Sequence, residues 1–202
     1  MLRSPCCLGG FDLVSNGAGF GERILVVAKN HDGVASAIFD ARTREATPIK
    51  LRPSDNRQRI FLAPGAMYAV GWENLRDIKI YPKCGARAKV KHRHEDYGLQ
   101  LLHFSPSGDC FAYVTDGWRA YEWRADGKEP AHRWDAIEGA QIRALAYDDE
   151  ETLWVAAGDS LFRMDEKGAP TLHAEPGPVT RFVVDGDRFL AVVRGGLVTV
   201  PR

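Results

Sequence analysis

Apolar and polar residues alternate along this chain in short runs, and no stretch repeats its apolar positions at the three-to-four-residue spacing of a helix. Five segments share one plan: an apolar run, a turn rich in Gly, Asp or Pro, and a second apolar run. The second runs are Arg23–Val27, Ala66–Val70, Cys110–Val114, Thr152–Ala156 and Arg188–Val192. The first runs precede them at Phe11–Ser15, Arg59–Ala63, Leu99–Ser105, Ile142–Tyr147 and Val179–Asp185. Their β-branched and aromatic residues suit a pleated, packed surface. Third runs follow at Val34–Asp40, Arg76–Tyr81, Arg119–Trp123, Ser160–Met164 and Leu197–Val200. Fourth runs at Thr47–Leu51, Arg87–Arg93, Ala131–Trp134 and Thr171–Ala174 are shorter and more polar, as an outer strand must be if its edge is not to recruit other chains. The pattern predicts an all-β chain.

With Ile24, Met67, Phe111, Leu153 and Phe189 as equivalent positions, the plan recurs after 43, 44, 42 and 36 residues. A four-stranded propeller blade takes about 40–50 residues. The predicted fold is therefore a small all-β β-propeller of about five blades in one domain spanning 1–202, with units 11–54, 57–95, 98–137, 141–175 and 178–202. The fifth unit holds only three runs, and an open ring leaves backbone groups unpaired at its first and last sheets. The expectation is that a segment between Leu2 and Ser15 pairs with the last unit, so that N- and C-terminal strands close the ring. The rival is an incomplete ring finished by a second chain, which makes the protein self-associate.

Charge narrows the partners. Lys plus Arg and Asp plus Glu are 27 each, so there is no global field to draw in nucleic acid or an anionic membrane, and only a local patch can hold a polyanion. The longest apolar run, Ile24–Ala28, is far below the ~20 residues of a spanning helix. The residues after Met1 lack the apolar core of a secretory signal, which points to the cytoplasm. Cys6, Cys7, Cys84 and Cys110 show no C-x-x-C spacing and read as free thiols, the role of the adjacent Cys6 and Cys7 being left open.

Two units carry family-like motifs. Phe104-Ser105-Pro106-Ser107-Gly108-Asp109, followed by Phe111-Ala112-Tyr113 and Trp118 to Trp123, resembles a WD40-type blade, in which a Phe-Ser-Pro-x-Gly turn joins the first two strands. The unit departs from that pattern in two ways: Trp134-Asp135 lies about one strand too late to be the terminal Trp-Asp, and no Gly-His pair opens it. Tyr147 to Gly158, with Leu153-Trp154-Val155 after an acidic turn, and then Leu161-Phe162-Arg163, is similar to the two-component-regulator type of propeller repeat. The resemblance implies a rigid platform for partner proteins, an adaptor or scaffold subunit with no catalytic residues and no cofactor, although fold alone does not fix function.

Five groups of residues invite a chemical reading. Gly17-Ala18-Gly19-Phe20-Gly21 lacks the helix that a phosphate cradle needs directly after it and reads as a turn. Arg87, Lys89, Lys91 and Arg93 fall on one face at a period of two, a docking strip for an acidic protein surface or a phosphate backbone; without aromatic residues to stack on bases, nucleic acid is the weaker partner. His92, His94, Glu95 and Asp96 have the ligand types of a divalent site but no third ligand fixed by spacing. Asp12, Asp148 and Asp185 lie at or beside first runs, where a carbohydrate-acting propeller would place its acids, yet Asp also serves turns. Of the tryptophans, Trp123 and Trp154 fit the core, whereas Trp72 and Trp118 sit next to turns and suit contact anchors. The expected partner-binding residues are thus Trp72, Trp118, Arg87, Lys89, Lys91 and Arg93. A carbohydrate-directed propeller and a nucleic-acid accessory subunit using 87–93 are the alternatives.

Overall fold

The computed structural model describes residues 23–30, 33–50, 59–66, 68–73, 76–83 and 87–202. The expected run Phe11–Ser15, the closing segment, the Gly17–Gly21 cluster, Asp12, Cys6, Cys7 and Cys84 lie outside them. The chain divides into two compact units, Met1–Arg93 and His94–Arg202. Every sheet in both is antiparallel and built from strands consecutive in sequence.

In the first unit, β1 (Arg23–Asn30), β2 (Gly33–Asp40) and β3 (Glu45–Ile49) form one sheet, and β4 (Arg59–Leu62), β5 (Tyr68–Glu73), β6 (Asp77–Pro82) and β7 (Val90–Arg93) form another. Asp40 turns the chain from β2 into β3 by accepting the N–H groups of Arg42 and Thr43 at 3.0 and 3.1 Å, the local bonding that favours Asp in turns. Ile60, Leu62, Ala69 and Tyr81 of the second sheet pack with Ile38 and Ile49 of the first, so each sheet hides an apolar face on the other. The strand predicted from Ala66 starts at Tyr68, because Pro64–Ala66 wind into a short 3₁₀ turn with Gly65 at φ 65°, open to glycine at little cost. β5 then runs on through Trp72.

The second unit holds three sheets. β8 (Leu99–Phe104), β9 (Cys110–Thr115), β10 (Ala120–Arg124) and β11 (His132–Trp134) make the first; β12 (Ile142–Tyr147), β13 (Leu153–Ala157), β14 (Ser160–Met164) and β15 (Pro170–Ala174) the second; β16 (Val179–Asp185), β17 (Arg188–Val193) and β18 (Gly196–Pro201) the third. Side chains alternate across a strand, so a sheet apolar at both parities has two faces to bury. β13 is the clearest case, with Leu153 to Ala157 all buried. Leu153, Val155 and Ala157 pack on Ala112, Val114 and Trp134 of the first sheet. Trp154 and Ala156 pack on Phe182, Phe189 and Ala191 of the third. The middle sheet is thus a layer between two others. β15, its outer strand, is almost wholly exposed, as the polar fourth run predicted.

Polar contacts between turns tie the three layers in series. Glu151, between β12 and β13, accepts the N–H and hydroxyl of Ser107, between β8 and β9, at 2.6 and 2.9 Å. Arg202 follows β18 and grips the same β12–β13 turn through Asp149 and, at 3.0 Å, Glu150, while its N–H donates to the Asp187 carbonyl. Trp134 reaches the β14–β15 turn by donating to the Gly168 carbonyl at 2.8 Å. Gly168 has φ 77°, and a Cβ there would lie 2.6 Å from the His132 ring, so only glycine fits.

Candidate functional site

The basic strip belongs to the first unit. Only Val90–Arg93 is strand, so the period-two face expected over Arg87 to Arg93 holds only for Lys91 and Arg93; Arg87 and Lys89 lie in the bend before it, and all four are exposed. Lys89 enters the ladder through its N–H to the Ile80 carbonyl at 2.8 Å. Lys91 stands directly across from Lys79, and burial together with this like charge lowers the Lys79 pKa. The buried carboxylate of Asp77, 3.5 Å from the Lys91 amine, offsets part of that repulsion. Trp72 corrects an expectation: it lies inside β5, opposite Arg59 and Ile78, and is only 2% exposed. The Pro64 turn shifted the strand onto it, and its indole packs in the interior instead of standing at an exposed turn.

Trp118, in the second unit, keeps its place at a turn. It follows β9 with φ 60°, a sparsely populated conformation for a bulky residue, held by its N–H to the Thr115 carbonyl at 2.9 Å. The half-buried indole meets the Arg143 guanidinium of β12, 5.6 Å from the ring centroid, in a cation–π contact. Both border a hollow of about 600 Å³ where β8, β12 and β16 come together with the outer face of the third sheet. Its apolar wall includes Val183, Val192 and Leu197, exposed by 52, 44 and 66%. Arg143 and Arg181 supply the charge, and neither guanidinium has a carboxylate partner among the described residues. His103 also borders the hollow, and burial lowers its pKa. At neutral pH it is therefore an uncharged ring.

The sign of that shift gives a pH dependence. The unfolded chain binds a proton at His103 near the ordinary pKa, whereas the folded chain resists it to lower pH, so stability falls as pH drops through about 6.5. Urea midpoints are expected to be lower at pH 5 than at pH 7, with a shallower slope in His103→Gln. An unchanged slope in that variant would remove His103 from the account.

The remaining candidates have structural employment. Asp148 is buried and accepts the N–H groups of Glu150 and Thr152 at 2.9 and 2.8 Å and the Trp154 indole N–H at 2.8 Å. Asp185 pairs with Arg188 at 2.8 Å across the next hairpin. These acids close turns. The His92–Asp96 stretch disperses: His94 turns inward to the Tyr113 hydroxyl at 2.7 Å, and Asp96 holds Arg119 and the Thr115 hydroxyl, each at 2.7 Å. Among the described residues no three His, Cys, Asp or Glu side chains gather as metal ligands. A second groove, of about 870 Å³, lies along the turns of the first two sheets and contains Cys110, Glu122 and His132. Burial and the Glu122 carboxylate raise the Cys110 pKa, which keeps the sulfur as a thiol. Glu122 accepts the Tyr147 hydroxyl at 2.7 Å.

The sequence reading missed Arg143, Arg181 and the outer face of the third sheet. A signal was present: Val179–Asp185, Arg188–Val193 and Gly196–Pro201 carry apolar residues at both parities, so two faces of that sheet need cover.

No family model matches the sequence, and no curated protein does. Solved structures do match. The Dos1 propeller superposes with a TM-score of 0.61 at 13% identity, over 89% of this chain and 50% of that one. A chain in the crystal structure of the mitotic checkpoint complex gives 0.64 at 13% identity, over 90% of this chain and 59% of that one. The chain therefore spans little more than half the length of these neighbours. At this identity the likeness speaks for fold alone, and it agrees with the antiparallel sheets: the chain has the blade architecture of a β-propeller.

Proposed function

We propose that this chain is a non-catalytic platform for partner proteins, a single propeller domain of about five blades whose stiff sheets present contact residues at little entropic cost on binding. The observation that carries the reading is Trp118, a half-buried aromatic held at positive φ in a turn, with one side packed on the core and the other lining an apolar hollow. The exposed cations Arg87, Lys89, Lys91 and Arg93 form a second contact surface, suited to acidic protein faces. One structural neighbour was solved inside a complex, the mitotic checkpoint complex, which fits an interaction role.

The test is affinity purification of the full chain from its native host with quantitative mass spectrometry. Trp118→Ala is expected to deplete at least one co-purifying protein by about tenfold, the loss of one good anchor. Lys89→Glu with Lys91→Glu is expected to deplete a partner whose capture falls with salt. Circular dichroism should show both variants folded. An unchanged set of co-purifying proteins in both would contradict the platform reading.

A further inference from the structure

Lys79 stands between an apolar cluster and a second lysine. On the second sheet of the first unit the register sets Ile60 of β4, Gly71 of β5, Lys79 of β6 and Lys91 of β7 opposite one another in a row, so the four share one face. Ile60, at the inner end, belongs to the cluster that packs on Ile38 and Ile49 of the first sheet. Lys91, at the outer end, is exposed. Lys79 is half-buried, unlike the exposed Lys128 and Lys167, and Gly71 beside it offers no side chain to cover the amine.

Like charges directly opposite each other across a strand pair repel. The buried Asp77 carboxylate is 3.5 Å from the Lys91 amine and fixes that positive charge in place. Glu73 of β5 and Arg93 of β7 stand at the register positions opposite Asp77, two residues along the strand from Lys79. Burial, and then Lys91, lower the Lys79 pKa, so at neutral pH it holds more of the uncharged amine than an exposed lysine does. The uncharged amine is the nucleophile, and a neighbouring cation is one of the ways a lysine is activated. Conversion to an amide removes the repelled charge altogether. Around this amine, the exposed cations Lys89, Lys91 and Arg93 attract an anionic carrier.

We propose that Lys79 is an acylation site that accepts the acyl group of a thioester whose carrier is anionic. The amine lone pair attacks the carbonyl carbon, the C–N bond forms as the C–S bond breaks, and the amine proton leaves with the thiol. No oxidant or reductant takes part. The product is a neutral amide, and the basic strip loses one positive charge. This goes beyond the platform reading and stands apart from it, since the reaction needs no docked partner.

The experiment incubates the full chain with acetyl-CoA at neutral pH, unfolds it, and caps the remaining amines with deuterated acetic anhydride. Peptide mass spectrometry then reads the acetylated fraction at each lysine. Lys79 is expected to react about fivefold faster than Lys128 or Lys167, the effect of one nearby like charge, and the preference should vanish in urea. With the uncharged thioester S-acetyl-N-acetylcysteamine, Lys91→Met should bring Lys79 down to the rate of Lys128, whereas Lys91→Arg keeps the charge and should keep the rate. The ratio of Lys79 to Lys128 should be larger with acetyl-CoA than with the uncharged thioester, by a margin that shrinks with salt. Circular dichroism checks the fold of both variants, and the wild-type comparison decides without them. Equal rates at Lys79, Lys128 and Lys167, or a Lys79 rate that a folded Lys91→Met leaves unchanged, would overturn the proposal. A ratio no larger with acetyl-CoA would overturn the anionic carrier.

Discussion

Trp154→Ala destabilises the His94–Arg202 unit by about 3–5 kcal/mol, the range for removing a large buried aromatic. The residue is only 4% exposed and belongs to the layer where the middle sheet meets the third. Its ring stands edge-on to Phe189, with centroids 4.7 Å apart, and to His173 at 5.0 Å. Its N–H donates to Asp148, which also holds the β12–β13 turn. The truncation removes ring contacts from both sheets at once. Trp154→Phe keeps a ring in that layer and loses the hydrogen bond, so its cost should be smaller, about 1–2 kcal/mol. Urea unfolding followed by far-UV circular dichroism separates the two. A Trp154→Ala cost below about 1 kcal/mol would mean that the two sheets do not rely on this contact.

Tyr113→Phe has the second largest expected effect. Tyr113 sits on the face of the first sheet away from the middle one, among buried rings: it stacks on Tyr121 at 5.2 Å, and Phe111 stacks on Trp123 at 6.0 Å. Its oxygen accepts the Trp123 indole N–H at 3.1 Å and bonds His94 Nε2 at 2.7 Å. Burial raises its pKa well above the ordinary phenol value, so the hydroxyl keeps its hydrogen. Phenylalanine preserves the stacking and takes the shared hydroxyl from two buried groups, at about 1–3 kcal/mol each. Adding His94→Leu should cost less than the two single changes together, since one of the bereft groups is then gone. Strict additivity of the two changes would contradict the shared hydrogen bond.

Much of this fold was legible in the sequence. Ile24, Phe111, Leu153 and Phe189 each fall in a strand of a different sheet, because each sheet is the same hydrogen-bonded unit repeated; Met67 lies outside the described residues. Described strands that differ from expectation do so mainly at their ends, where turn chemistry decides. The Pro64-Gly65 turn delays β5 and turns Trp72 inward, and a bend before Val90 removes half of the alternating strip. Register shifts at Ile142/Ala144 and Val179/Arg181 move side chains between faces in ways that strict alternation does not foresee. Asp148 and Asp185 read equally well as acids for chemistry or as turn residues, and only their partners separate the two. Ser107 finds Glu151 and Arg202 finds Glu150 across long sequence separations, which local pattern does not carry. The hollow was the least legible feature, because a missing carboxylate beside Arg143 and Arg181 is a property of the folded neighbourhood alone.

Within each compact unit, successive antiparallel sheets bury their faces on one another, and the middle sheet of the second unit is covered on both sides. Amide hydrogen exchange of the full chain, read by mass spectrometry, tests it most directly. Peptides covering Leu153–Ala157 should be the most protected of the His94–Arg202 unit, and those covering the outer strands Pro170–Ala174 and Gly196–Pro201 should exchange orders of magnitude faster. Exchange at Leu153–Ala157 as fast as at Gly196–Pro201 would contradict the layered stack.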